Sequence, residues 1–275
     1  MKYSLTYRLI YCLALFMPFS AFGRVVVSQS TGEPIIYASV GIVNRNLGTV
    51  TDSAGHFSLS VPPEYAGDSL RISSLGYVAR TFAVKDFRAV PDTIRLADDA
   101  ILLADVVVKP QKVVHKTAGN RSGSGFIYIE VERDRAAGQG IAVPLKVGKR
   151  AWLKELGFVV VVDDYTLPRM KFRVNIYAKD GDSYRPLTSV RQYYFDYDRD
   201  ALVDGRFSYT FPEEITLEKG EYYVELEFLE NFSNALFLMK TRPMTGRTRY
   251  RYASQSDWET MPFGAPIYVG YDTLK

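Results

Sequence analysis

The chain has 275 residues, room for one or two domains of ordinary size. Hydrophobic residues make up 47% and charged residues 24%, which excludes long disorder, and 20 Tyr with 16 Phe favour strands over helices. The 34 Lys and Arg against 31 Asp and Glu leave a net charge of +3, too even to argue electrostatically for a nucleic-acid partner.

The amino terminus reads as an address. Lys2 and Arg8 precede an apolar run from Leu9 to Phe19, and Ala21-Phe22-Gly23 places small residues at the two positions a signal peptidase reads. Residues 1–23 are therefore expected to be a secretory signal. The run is about 11 residues, too short to span a bilayer, which needs roughly 20. An exported protein follows, periplasmic, outer-membrane associated or secreted, with no transmembrane helix in a mature chain starting near Arg24. Loss of Lys2 and Arg8 leaves 32 basic and 31 acidic residues, a net of +1. Cys12, the one cysteine, leaves with them, so no disulfide or thiolate metal site is expected. Cys12 lies inside the apolar run after the bulky Tyr11, unlike a lipidated cysteine, which follows such a run.

From Arg24 to Val108 short strands alternate with turns. Val25-Val26-Val27 and Ile35 to Val43 are apolar stretches separated by a turn-rich loop. Asp52-Ser53-Ala54-Gly55 reads as a tight turn, with the aspartate accepting a local backbone N–H and the glycine free to take a positive φ. Phe57, Leu59 and Val61 then alternate with His56, Ser58 and Ser60, and Pro62-Pro63 stops the pattern. Leu70 with Ile72, the turn Leu75-Gly76-Tyr77, Ile94 with Leu96, and Val106-Val107-Val108 complete about seven strands, the density of a small sandwich.

These residues carry a resemblance. Thr31-Gly32-Glu33-Pro34-Ile35 with Ala38-Ser39-Val40, Gly48-Thr49-Val50-Thr51-Asp52 with Gly55 and Phe57, Ser74-Leu75-Gly76-Tyr77, and Leu103 to Val108 together resemble the carboxypeptidase-like regulatory domain, frequent in envelope proteins of the Bacteroidetes. The resemblance implies a seven-stranded transthyretin/Ig-like sandwich over residues 24–108, an accessory module without catalytic residues. Ile36-Tyr37 departs from the family, which often has a glycine there. The family often precedes the plug and barrel of TonB-dependent transporters. The present chain is expected to belong to another setting, since it lacks the long series of amphipathic strands a barrel needs.

Residues 109–124, basic, polar and poor in large apolar groups, read as a linker. Strand signals resume over 125–275. Phe158 to Val162 is a continuous apolar run suited to a strand buried on both faces. Phe172-Arg173-Val174-Asn175-Ile176-Tyr177 alternates ahead of an Asp180-Gly181-Asp182 turn, and Tyr222 to Phe228 alternates again. About eight or nine strands in this half suggest a jelly-roll-like β-sandwich. Pro144-Leu145-Lys146, Phe172 to Tyr177 and Gly220 to Leu226 are similar to a domain that follows the regulatory-like module in other Bacteroidetes envelope proteins, for which no function carries over. The fold class is all-β throughout.

The chemistry is sparse. His56 and His115 are far apart and no mature cysteine joins them, so neither zinc nor any other cofactor is expected. No serine-nucleophile elbow, phosphate-binding loop or dinucleotide fingerprint is present. The carboxylate pairs Glu130/Glu132 and Glu225/Glu227 raise glycoside hydrolysis, but i,i+2 pairs on one strand face are expected to be its solvated side. Asp196, Asp198 and Asp200 alternate as oxygen ligands of a calcium loop would, although Ala201 and Phe207 exclude an EF-hand. Trp152, Trp258, Tyr250 and Tyr252 are candidate sugar-stacking aromatics. Asp52, Gly55 and Gly76 are assigned to turns. The expectation is a non-enzymatic envelope interaction or assembly module, with a carbohydrate-binding accessory protein as the alternative, and an envelope protein or a glycan as partner.

Overall fold

A computed structural model describes residues 23–99, 112–123, 127–181, 183–187 and 192–275, with the backbone alone at 243–247. The signal segment up to residue 22 and the apolar run 103–108 lie outside the described residues.

Among the described residues the first unit has seven strands: β1 (Arg24–Ser28), β2 (Ser39–Ile42), β3 (Gly48–Val50), β4 (His56–Phe57), β5 (Ser69–Ser73), β6 (Arg80–Ala83) and β7 (Thr93–Leu96). They form two sheets, ordered β4-β1-β7 and β3-β2-β5-β6. Val26, Val40, Ile42, Phe57, Leu70, Ile72, Ile94 and Leu96 fill the space between them. The period-two pattern explains this: Leu70 and Ile72 turn inward while Ser69 and Arg71 stay exposed. Strand β6 falls in a stretch with no distinctive sequence pattern. The run from Phe57 to Val61 is a strand only at His56–Phe57, with Leu59 and Val61 half-buried at the core's edge.

The turn before β4 is built as expected. Asp52 Oδ1 accepts from the Ala54 and His56 amides at 2.8 and 2.9 Å. Gly55 has φ 77°, and a Cβ there would lie 2.8 Å from the Val26 carbonyl oxygen. Gly76 is also left-handed, with φ 86°.

The second unit contains β8 (Val113–Gly119), β9 (Tyr128–Glu130), β10 (Gly140–Val147), β11 (Ala151–Val159), β12 (Arg169–Asp180), β13 (Ser183–Pro186) and β14 (Tyr193–Asp198). It continues with β15 (Arg206–Leu217), β16 (Gly220–Phe228), β17 (Leu238–Lys240), β18 (Arg242–Arg251), β19 (Glu259–Gly264) and β20 (Ile267–Leu274). A large sheet runs β13-β12-β16-β10-β18-β19 with β14 also on β12, and a second runs β15-β11-β20-β8. From β10 to β16 the long strands β10, β11, β12, β15 and β16 alternate between the two sheets, as in a jelly-roll-like sandwich, and β18 then adds to the large sheet before β20 returns to the second. Phe158, Phe172, Phe195, Phe228 and Phe237 stack in its core.

Two expectations are corrected here. Residues 113–119 are not linker: they pair antiparallel with β20 as the edge strand of the second sandwich. An edge strand is held through its backbone and needs few large side chains, so its composition resembles that of a loop. The apolar run at 158–162 is strand only to Val159, and Val162 is exposed.

Candidate functional site at the domain junction

The large sheet has two faces of different chemistry. Ile141, Val143, Phe172, Val174, Val224, Leu226 and Tyr250 point into the core. The alternate positions carry Arg173, Asn175 and Tyr177 on β12, Glu225 and Glu227 on β16, Gly140 and Ala142 on β10, and Arg249 and Arg251 on β18. Register places Arg173 beside Glu227, Glu227 beside Gly140, and Gly140 beside Arg251. Gly140 leaves the room in which these side chains meet, because a Cβ there would overlap the Glu225 carboxylate.

This face is where a solvated surface was expected. Glu225 and Glu227 instead have no exposed surface, and Arg173 is 1% exposed. The reason is that the first unit covers this end of the sheet. Arg173 donates through Nε to Glu227 Oε2 at 2.7 Å, through Nη1 to the Tyr37 carbonyl at 2.5 Å, and through Nη2 to Ser39 Oγ at 3.1 Å. Arg251 donates through Nε to Glu225 Oε1 at 2.6 Å, and its Nη2 lies 3.0 Å from Glu227 Oε1. Asn175 Nδ2 bridges Glu225 and Glu227 at 2.7 and 2.6 Å, and Tyr177 donates to Glu225 Oε2 at 2.9 Å. Trp258 closes the side, edge-on to Tyr177 at 5.7 Å, with the Arg251 guanidinium 5.3 Å above its ring.

The two carboxylates sit in different fields. Burial raises the Glu225 carboxyl above its usual value, and Arg251 only partly opposes this. Burial pushes Glu227 the same way, but Arg173 and Arg251 together outweigh it and hold the carboxyl below the usual range. The Tyr177 hydroxyl is pushed far up, by burial first and by Glu225 second.

Around this cluster the two units touch through few apolar groups. Tyr37, Val50, Ala137 and Leu229 form a small separate cluster, and the Tyr37 ring lies 5.3 Å from that of Tyr194. Tyr37 takes φ 53°, a left-handed backbone that glycine adopts without strain. Here a tyrosine holds it, and the ring it adds is a docking contact. On the other flank Gly41 and Gly48 lie flat against the Ser254 carbonyl, the Asn44 amide donates to the Gln255 carbonyl at 3.0 Å, and Gln255 Nε2 donates to Ser73 Oγ at 2.9 Å.

The residues singled out from the sequence are scattered. Trp152 and Tyr250 are 1% and 3% exposed, so neither can offer a ring to a sugar, and both are corrected to core positions. Trp258 is half-buried in the junction cluster, and Tyr252 is half-buried edge-on to Tyr250. Asp196 is paired with Lys171 at 2.5 Å. Asp198 faces Arg169 at 3.3 Å and accepts from the Asp200 amide. Among the described residues no three acidic, histidine or cysteine side chains group as metal ligands, so these aspartates do not converge. Glu130 and Glu132 are exposed as expected. His56 is exposed near Asp52, and His115 on the edge strand meets Asp272 at 3.2 Å. Sequence reading missed Arg173, Arg251, Glu225 and Glu227 as a set. The available signal was local: between Lys171 and Lys179 the outward face of β12 carries Arg173, Asn175 and Tyr177, opposite Glu225 and Glu227 on β16.

The fold and the junction define an all-β protein of two docked sandwiches. Residues 23–108 match the CarboxypepD_reg-like domain model, so the first unit is a domain of that family. A 99-residue stretch is 33% identical to the TonB-dependent receptor SusC of Bacteroides thetaiotaomicron, covering 34% of this chain and 9% of the receptor. The chain thus spans under a tenth of the length of that relative. Among solved structures, infectious bursal disease virus Gt strain aligns over 92% of this chain and 64% of its own, at 9% identity and a TM-score of 0.26. The VP2 subviral particle of the same virus aligns over 88% and 65%, at 8% identity and a TM-score of 0.17. Scores at that level carry no structural argument. No helix among the described residues is long and apolar enough to cross a membrane.

Proposed function

We propose that this chain is a non-enzymatic interaction or assembly module of the bacterial cell envelope, exported to the periplasm or the outer membrane, whose two sandwiches present one joint surface. The observation that carries the reading is the junction itself. Glu225 and Glu227 share the Asn175 amide as a pair of neighbouring carboxylates, and both are buried and engaged by Arg173, Arg251, Asn175 and Tyr177. A glycosidase needs its two carboxyls to face a substrate across a cleft, and these face arginines. The likeness to a TonB-dependent receptor of Bacteroides supports an envelope setting.

The test is chemical crosslinking of the full chain in purified envelopes, read by mass spectrometry. The expected result is one partner protein crosslinked to residues of both sandwiches, and lost with Arg173→Met. Crosslinks to no particular protein would overturn the reading. A second reading, carbohydrate binding, is favoured by one feature: Tyr184 and Tyr223 meet edge to face at 4.4 Å, with Arg249 5.9 and 5.5 Å from their rings, at the uncovered end of the same sheet face. Silence on an array of plant, host and bacterial glycans removes it.

A further inference from the structure

Two cavities of about 530 and 510 Å³ lie side by side between the two sandwiches. They share Thr49, Ser58, Ala137 and Asn231 in their walls, so they form one trough. One wall is strand β3, which among the described residues pairs with β2 alone and is an edge of its sheet. The other wall is Ser58-Leu59-Ser60, which follows β4 and belongs to no ladder. Ala137 and Asn231 of the second sandwich make the floor.

The direction of the β3 backbone can be worked out from its neighbours. The Thr51 amide donates to the Ala38 carbonyl, and the Ile42 amide donates to the Leu47 carbonyl, both at 2.9 Å. Thr49 is opposite Val40 and stands in the same phase as these two pairs. In an antiparallel ladder every second residue bonds its partner strand, so Gly48 and Val50 point their N–H and C=O away from β2, toward the trough. Edge strands are normally blunted by a charge, a proline or a bulge. Gly48-Thr49-Val50 has none of these; its three-residue length and its position between the domains are what limit its edge.

The rim has a sign. Asp52, Glu132, Asp134 and Glu230 line the trough, against Arg135 as the only Lys or Arg among the described residues there. Glu132, Asp134 and Glu230 are exposed, and among the described residues none of them is ion-paired. An open strand edge supplies hydrogen bonds without regard to sequence, and an acidic rim selects the charge of what lies along it.

We propose that this trough takes an extended, basic segment of a partner protein as an added strand on β3. The proposal rests on the interaction reading above and names the chemistry of the partner. The full chain is titrated against a fluorescein-labelled ten-residue peptide of alternating Lys and Thr, and against its Glu–Thr counterpart, by fluorescence anisotropy at low salt. The Lys–Thr peptide is expected to bind at least tenfold more tightly. Amide hydrogen exchange at Gly48 and Val50 is expected to slow on binding. Val50→Pro removes an N–H that faces the trough and is expected to lower affinity at least tenfold. The pair Glu132→Lys with Glu230→Lys, both on exposed positions, is expected to abolish the preference for the basic peptide while leaving exchange in the free protein unchanged. No binding, equal affinity for the acidic peptide, or binding without protection at Gly48 and Val50 would each overturn the strand-addition proposal. The envelope crosslinking result is independent of these outcomes, so failure of the trough and failure of the interaction reading are separable.

Discussion

Replacing Arg173 with methionine keeps an apolar stem of similar reach and removes the guanidinium donors that join Glu227 to the first sandwich. Glu227 Oε2 loses its 2.7 Å partner, and the Tyr37 carbonyl and Ser39 Oγ lose theirs. Glu227 remains fully buried with only Asn175 and Arg251 against it. Breaking one side of a buried ion pair costs ~3–5 kcal/mol, because the remaining charge stays desolvated. An orphaned buried carbonyl alone costs ~1–3 kcal/mol, and part of that is already counted in the pair. The expected loss is therefore about 4 kcal/mol. With a urea m-value of ~2–3 kcal/mol/M the midpoint should fall by roughly 1–2 M. The double variant Arg173→Met with Glu227→Leu removes both charges and should recover at least ~2 kcal/mol of that loss. A midpoint change under about 0.3 M, or strictly additive losses in the double variant, would refute the idea that this pair holds the junction.

Gly140→Ala pushes a methyl into the Glu225 carboxylate and should destabilise by ~1–3 kcal/mol in urea, with no loss contradicting the close packing. Tyr37→Gly relieves a left-handed backbone worth ~1–2 kcal/mol but deletes the ring against Tyr194; a net loss in thermal stability is expected, and a gain would show that the ring adds nothing. Gly55→Val places a branched side chain at φ 77° against the Val26 carbonyl and should lower the melting temperature by several degrees, so an unchanged melt would contradict the turn. The two junction carboxyls predict opposite pH behaviour. Glu227 is held below its unfolded value, so its contribution is present above the ordinary glutamate pKa of ~4.3 and is lost as pH falls through the folded one. Glu225 is held above its unfolded value, so its ionisation subtracts stability as pH rises through that folded value. Glu227→Gln should therefore cost more at pH 7 than Glu225→Gln and should flatten the acid side of the stability profile; urea midpoints at pH 3.5, 5 and 7 check both.

The first sandwich was legible because its core is local. Leu70 with Ile72, Ile94 with Leu96, and the Asp52–Gly55 turn each declare their geometry within a few residues. Strand β8 was not, because its pairing with β20 joins segments about 150 residues apart and its own composition is that of an exposed edge. The junction was hidden for a different reason. Alternation shows that Arg173, Glu225 and Glu227 leave the core of their own sandwich, but it cannot show what covers the other face. Water and a second domain impose the same first requirement on a strand, namely polar side chains at every other position. The departure at Tyr37 was visible as a residue where relatives often have glycine, and only the docked structure shows that its ring and its carbonyl both reach the second sandwich.

The composition of the junction bears on what it does. Among the described residues its separate apolar cluster is Tyr37, Val50, Ala137 and Leu229 with Tyr194 packed on it, a small set with which to fix how two sandwiches sit by hydrophobic burial alone. Buried ion pairs contribute little net stability, since desolvation offsets most of their attraction, but they punish any misplacement. Two arginines and two glutamates, hydrogen-bonded Arg173 to Glu227 and Arg251 to Glu225 and bridged by Asn175, therefore set orientation more than strength. Orientation is what the trough requires: the β3 edge comes from one sandwich and the floor at Ala137 and Asn231 from the other. The same cluster that forbids the glutamates from acting on a substrate thus keeps a strand edge open at fixed width, and this ties the non-enzymatic reading to the strand-addition proposal through one set of residues.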